Sequence, residues 1–218
     1  MRWWPPVGVV TMLLLGLAVG KDSTPVDTWV FHCVRHVLGP HLRYLLLFTT
    51  LLLSTAWWML GLALLVCVGV ALYRGHRRMA LVVLLCPLFS IMITEVLKRL
   101  YNRHNGPDFP LYPSGHTASI ISVTGMVALV AGYRLWALAV AIAVSLLGAL
   151  GLIAFGYHYF TDTVGAALLT TALVCLATRF AGGMPTDRGS PRGGGASAPH
   201  RPRRRNRPCA QVNDDGIP

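Results

Sequence analysis

The chain has 218 residues, of which 54% are hydrophobic and only 12% charged, with a mean hydropathy of +0.56. Soluble domains carry about 25% charged residues, so the composition excludes an ordinary water-soluble globule and points to a surface that faces lipid. The net charge of +11 would suit a nucleic-acid binder, but Arg201, Arg203, Arg204, Arg205 and Arg207 crowd a C-terminal run and most other basic residues lie in short loops between apolar segments; there they report topology and contact with anionic lipid instead.

In chain order, residues 5–20 form a first apolar run after Arg2, read as a retained helix with a signal-like segment as the alternative. Residues 21–41 are more polar. Asp27, His32, Arg35 and His36 interleave with Val26, Trp29, Val30, Phe31 and Val34, which predicts an amphipathic helix on the membrane surface. His32 and His36 have the spacing of a metal pair but no third ligand nearby, so the interfacial reading is preferred. Residues 42–73 exceed one span of about 20 residues. Residues 45–53 therefore read as an interfacial or re-entrant lead-in, and 56–73 as the second span, with Trp57 and Trp58 at the headgroup level.

A basic turn, Arg74-Gly75-His76-Arg77-Arg78, precedes the third span at 79–97. Residues 98–112 form a polar loop with Asn105-Gly106-Pro107 as turn chemistry. The fourth span covers 114–132, the fifth 135–155 and the sixth 161–180; the Gly- and Pro-rich remainder predicts a disordered basic tail. The expected architecture is all-α: a polytopic six-transmembrane-helix bundle with an interfacial amphipathic helix. Its parts are residues 1–20, an interfacial segment at 21–54, a membrane core at 55–182 and the tail at 183–218. Six spans put both termini on one side, which the basic turns mark as cytoplasmic. The loops at 98–113 and 156–161 then face outward, and Arg99 and Arg103 stand against the charge bias. Cys67, Cys86 and Cys175 fall in apolar runs and no C-x-x-C pair occurs, so neither a disulfide framework nor a zinc site is indicated.

Ionisable residues at the membrane core are costly and usually functional. Here they gather at the outward ends of three spans: Glu95, Lys98, Arg99 and Arg103; His116; and His158 with Asp162. Pro113-Ser114-Gly115-His116 combines a helix start, a capping hydroxyl and a glycine that admits a ligand close to the backbone. The free N–H groups at such a terminus bind anions, although a plain helix cap with an incidental histidine has the same pattern. His158 and Asp162 share a helical face at i, i+4, so the carboxylate can fix one imidazole nitrogen and leave the other to attack. Taken alone, the pair reads first as a capping Asp beside an interfacial His. Lys98 and Arg103 supply counter-charge for an anion, while Glu95 fits an internal salt bridge with Lys98 or Arg99.

Lys98, then Pro113-Ser114-Gly115-His116, then His158-x-x-x-Asp162, spread over six spans, resembles the type 2 phosphatidic acid phosphatase (lipid phosphate phosphatase) superfamily over about residues 55–180. The resemblance implies a membrane phosphatase with an outward site, no metal and no other cofactor. Carried over by position, His158 is the expected nucleophile that forms a phosphohistidine, Asp162 its orienting group and His116 the acid–base. Lys98, Arg103, Ser114 and Gly115 are the expected phosphate ligands, with Arg99 or His104 assisting. Two arginines of the family pattern are absent: Asn105 stands where the first motif has one, and Gly151-Leu152 where the third has Ser-Arg. The stretch His158-Tyr159-Phe160-Thr161-Asp162-Thr163-Val164-Gly165 is similar to divergent actinobacterial members.

The expected function is hydrolysis of a lipid phosphate or polyprenyl pyrophosphate at the outer face of the cell membrane, with lipids and no nucleic acid as partners; the oligomeric state is left open. The alternatives are a non-catalytic lipid-phosphate binding or scaffold protein of the same fold, a metal-dependent hydrolase using His104, Asp108, His116 and His158, and a transporter, for which no internal repeat speaks.

Overall fold

The computed structural model describes residues 3–55, 57–104 and 110–182, with backbone alone at 47, 49–55, 57 and 58. The expected turn at Asn105-Gly106-Pro107, the headgroup placement of Trp57 and Trp58, and the tail at 183–218 lie outside the described residues. The described chain is all-helical: α1 (Trp4–Val19), α2 (Pro25–Val37), α3 (Pro40–Thr55), α4 (Trp57–Tyr73), α5 (Arg77–Tyr101), α6 (Gly115–Val130), α7 (Leu135–Ala154) and α8 (Phe160–Phe180).

Six of these are apolar helices at the places of the six expected spans. Three of them, α5, α7 and α8, are long and apolar enough to cross a membrane; α1, α6 and residues Met59–Tyr73 of α4 are apolar but shorter. Large apolar side chains such as Leu88, Met92 and Val96 on α5, and Leu135, Ile142 and Leu146 on α7, remain exposed along the bundle exterior. That is the surface a lipid solvent requires, because packing in a membrane does not depend on hiding apolar area from water.

The segment between the first two apolar helices holds two helices. The amphipathic stretch is a helix, α2, bounded by an N-terminal capping box: Asp27 N–H donates to Thr24 Oγ1 at 3.2 Å, and Thr24 N–H donates to Asp27 Oδ2 at 3.0 Å, with Pro25 opening the helix. Residues 45–53, expected as a lead-in, belong to the continuous helix α3, which packs against α7. The run from 42 to 73 contains no Pro or Gly at the junction, and the only sequence sign of it is the polar pair Ser54-Thr55 at the end of α3.

Helix α8 is flanked by α1, α5 and α6, and α2 meets its N-terminal end. The α1–α8 seam depends on small residues. Tyr112 is fully buried and its hydroxyl donates to Met12 O at 2.6 Å. A Cβ on Gly165 would lie 2.6 Å from that ring, and one on Gly16 would lie 2.5 Å from the Tyr101 ring. At the other end of the bundle Arg74 Nη1 donates to Val130 O at 2.8 Å, tying the basic α4–α5 turn to the end of α6.

Gly165→Ala is expected to force Tyr112 out of register. Overpacking of this kind costs about 1–3 kcal/mol, so thermal unfolding in detergent should fall by several degrees; an unchanged midpoint would contradict this packing.

Candidate active site

The residues singled out in the sequence converge at one end of the bundle, opposite the basic turn. α5 ends at Tyr101 with Asn102 in the left-handed region (φ 48°), its N–H bonded to Lys98 O. The chain then doubles back: Leu111 N–H donates to Arg103 O at 2.7 Å, and His104 bridges to Pro110. This return carries Ser114 to the start of α6, where it is the N-cap: Thr117 N–H donates to its hydroxyl at 3.3 Å. Ser114 N–H in turn donates to Asp162 O at 3.1 Å, so the N-termini of α6 and α8 are fastened together.

Two histidines meet across that junction. His116 Nδ1 and His158 Nε2 are 3.4 Å apart, with the rings edge to face. His158 is only 6% exposed. Burial, reinforced by His116 and Lys98, lowers its pKa to about 3, which keeps the ring in the neutral, nucleophilic form at neutral pH. Asp162 Oδ2 lies 3.9 Å from His158 Nδ1, close but longer than a hydrogen bond, and the Leu111 backbone is the hydrogen-bonding group that favours the ring's protonated form. The same Oδ2 accepts from Tyr159 N–H at 2.9 Å, capping α8.

Lys98 bends over the α6 N-terminus. A Cβ on Gly115 would lie 3.1 Å from Lys98 Nζ, so the ammonium lies close beside that turn. The pair expected from sequence spacing forms: Lys98 Nζ donates to Glu95 Oε1 at 2.6 Å. With Glu95 half exposed, that pair has little intrinsic strength, and it holds the lysine beside the helix terminus without sealing it off. Lys98 thus adjoins Gly115 at the α6 N-terminus that Ser114 caps, and His116 of the same turn meets His158, an arrangement that attracts an anion.

Arg103 has a different place from the one expected of a phosphate ligand. It is the largest side chain that is wholly buried. Its Nη1 donates to Asp162 Oδ1 and to Thr161 Oγ1, both at 2.8 Å, and its Nη2 donates to Asp27 Oδ2 and to Asp22 O, both at 2.9 Å. The guanidinium also lies over the Tyr159 ring, 4.6 Å from its centroid. Two carboxylates occupy the fork that a phosphate would need, and this corrects the expectation. Arg99 is exposed on α5, and His104 Nδ1 is 3.0 Å from Asn102 O, so neither reaches the histidine pair. Asn105 and Asp108 lie outside the described residues. Leu152 is fully buried near the end of α7. Among the described residues no three His, Cys, Asp or Glu side chains gather as metal ligands.

Asp27 and Thr161 are the site residues that sequence reasoning did not assign. Asp27 is 2% exposed. Its Oδ1 accepts from Thr161 N–H at 2.8 Å and its Oδ2 from Thr161 Oγ1 at 3.1 Å. Hydrogen bonds from Thr161 and Thr24, with Arg103 adding to them, outweigh the effect of burial and leave its carboxyl below the ordinary range. The available signal was Thr24-Pro25-Val26-Asp27, whose capping-box spacing marks the acid as structural but gives no hint of its distant partners.

Compared by sequence, the chain matches no family model and no curated protein. Among solved structures it is similar to the first transmembrane PAP2 type phosphatidylglycerolphosphate phosphatase from Bacillus subtilis, with a TM-score of 0.69 and 19% identity over 82% of this chain and 96% of that one. At that identity the likeness is one of fold. The chain has the all-helical membrane fold of a PAP2-type phosphatase, the fold that its motifs resemble.

Arg103→Met should leave Asp27 and Asp162 buried without their counter-charge. Breaking a buried pair in this way costs roughly 3–5 kcal/mol, so the variant is expected to unfold well below the wild type or to be recovered poorly from membranes. Wild-type thermal stability would show that the fork contributes no net stability.

Proposed function

We propose that the protein is a membrane phosphatase that hydrolyses a lipid phosphate or polyprenyl (pyro)phosphate through a phosphohistidine on His158. The observation that carries this reading is the facing pair of His116 and His158 at 3.4 Å beside the Ser114-capped N-terminus of α6, with Lys98 adjoining it. A phosphoryl group that displaces this contact, the two rings parting to admit it, meets a neutral nucleophile on one side and an acid–base on the other.

In the first step His158 Nε2 forms a bond to phosphorus as the bond to the lipid oxygen breaks, and His116 gives its proton to the departing oxygen. In the second, His116 takes a proton from water, whose oxygen attacks phosphorus and releases inorganic phosphate, restoring both imidazoles. Lys98, the Gly115 N–H and the Ser114 hydroxyl are the proposed ligands of the phosphoryl oxygens, where charge neutralisation and positioning supply most of the catalysis. Asp162 stabilises the imidazolium character of His158. The exposed apolar exterior supports a substrate with an apolar tail, and phosphatidic acid, phosphatidylglycerophosphate and polyprenyl pyrophosphate are the candidates. The site and the basic turn lie at opposite ends of the bundle, which by the positive-inside rule supports an outward-facing site and cytoplasmic termini.

A second reading has its own observation. Arg103 is engaged and Leu152 is buried and apolar, so among the described residues Lys98 is the cation at the α6 terminus, and a protein that binds a lipid phosphate without cleaving it would need no more. A phosphate-release screen over a lipid panel separates the two. The wild type is expected to release phosphate in the presence of a chelator, and His158→Ala to lose at least a thousandfold. Acid-labile, base-stable labelling from a radioactive lipid phosphate should appear in the wild type and be absent from His158→Ala. Wild-type turnover no greater than that of the mutant on every lipid would leave the binding reading.

The tail at 183–218 has a proposed topological role, with binding of anionic lipid through Arg203, Arg204, Arg205 and Arg207 as the other possibility. Removing residues 184–218 should keep turnover within twofold on either view, and loss of the folded protein would contradict both.

A further inference from the structure

Asp27 belongs to none of the segments that carry the phosphatase-like motifs, yet it sits at the root of the catalytic end. It stands 76 residues before Arg103 and 134 before Thr161, and it bonds to both. Its four short bonds fix Arg103 from one side: Thr24 Oγ1 and N–H donate to Oδ2 at 2.8 and 3.0 Å, Arg103 Nη2 to Oδ2 at 2.9 Å, and Thr161 N–H to Oδ1 at 2.8 Å. Arg103 Nη1 then reaches Asp162, and Asp162 Oδ2 is 3.9 Å from His158 Nδ1. The relay runs from α2 through the loop after α5 to α8 and the nucleophile, and Asp27, Arg103 and Asp162 are each at most 2% exposed.

The charges along this relay do not cancel. Two carboxylates share one guanidinium, which leaves one net negative charge beside an imidazole that becomes cationic when its Nε2 bonds to phosphorus. Among the described residues the other ionisable groups around the histidine pair are Lys98 with Glu95 from α5. Lys98 opposes a cationic ring, and the buried side supplies excess negative charge against it. An Arg103–Asp162 pair alone would be neutral. Asp27 supplies the difference.

We propose that Asp27 is a positioning residue for the reaction at His158. From the interfacial helix it fixes Arg103, which fixes Asp162, and it keeps the buried triad one charge negative behind the nucleophile. The inference rests on the proposed phosphatase reading but predicts a binding property of its own.

The test uses full-length protein in lipid nanodiscs, with Asp27→Asn, Thr161→Val and His158→Ala beside the wild type. Asparagine keeps the shape and removes the charge. Valine at 161 keeps both carboxylates and removes the hydroxyl that bridges Arg103 to Asp27. Turnover is followed on the best lipid phosphate, and binding of orthovanadate and of inorganic phosphate is followed by intrinsic fluorescence. Vanadate bonds to a histidine in the geometry of phosphoryl transfer, whereas phosphate reports the anion site alone. For Asp27→Asn, kcat and vanadate affinity are each expected to fall at least tenfold, with KM and phosphate affinity within threefold of the wild type. Thr161→Val should lose severalfold in the same pair of quantities.

A folded Asp27→Asn protein with kcat and vanadate affinity within threefold of the wild type overturns the proposal. So does a loss in which phosphate affinity falls as far as vanadate affinity, which is the mark of a collapsed site. If Asp27→Asn does not fold, Thr161→Val decides by the same criteria. A wild type that releases no phosphate from any lipid overturns the phosphatase reading, and the vanadate comparison then decides this one. A wild type that binds vanadate no better than His158→Ala overturns both.

Discussion

The structure turns on a buried guanidinium. Arg103 is wholly enclosed and holds Asp27 on one side and Asp162 on the other, at 2.9 and 2.8 Å. A charge in such a place is tolerable only if its partners and geometry are nearly complete, and meeting that requirement fixes the parts around it. Asp27 must be presented by a capped helix, so α2 docks at the end of α8. Asp162 must open α8, so His158 falls in the bend just before that helix. The chain after α5 must double back to bury Arg103, which delivers Ser114 and His116 to the same place. The histidine pair is thus a product of how one arginine was accommodated.

Much of the fold was legible because a lipid solvent writes itself plainly into composition. Spans at 79–97, 135–155 and 161–180 correspond to α5, α7 and α8, and the basic turns mark the opposite end from the site. The helix α3 was not legible. Residues 42–73 are mostly apolar, interrupted by Arg43, Thr49-Thr50 and Ser54-Thr55, and hydropathy measures preference for lipid without saying where one helix stops and the next begins. The start of α2 was within reach through its capping box, whereas its docking depends on contacts more than a hundred residues away.

The site divides in the same way. Pro113-Ser114-Gly115-His116 and the spacing of His158 to Asp162 are local, and local patterns survive in one dimension. The role of Arg103 is not local. An arginine near an anion site reads in sequence as an anion ligand, and only the fold reveals that two carboxylates reach it first. Asp27 was visible as a charge on an amphipathic helix, where the ordinary place for an acid is the wet face; here it is on the buried one.

The junction of the two helix N-termini, fastened by Ser114 N–H to Asp162 O at 3.1 Å, has a consequence for how the site holds its charge. Part of its positive potential comes from peptide groups, equivalent to about half a charge at a helix start. Peptide dipoles neither titrate in the accessible pH range nor depend on which side chains are present. That share of the attraction for an anion is therefore constant from acid to alkaline conditions and indifferent to mutation. A bundle with such a terminus presents a cationic floor to whatever enters.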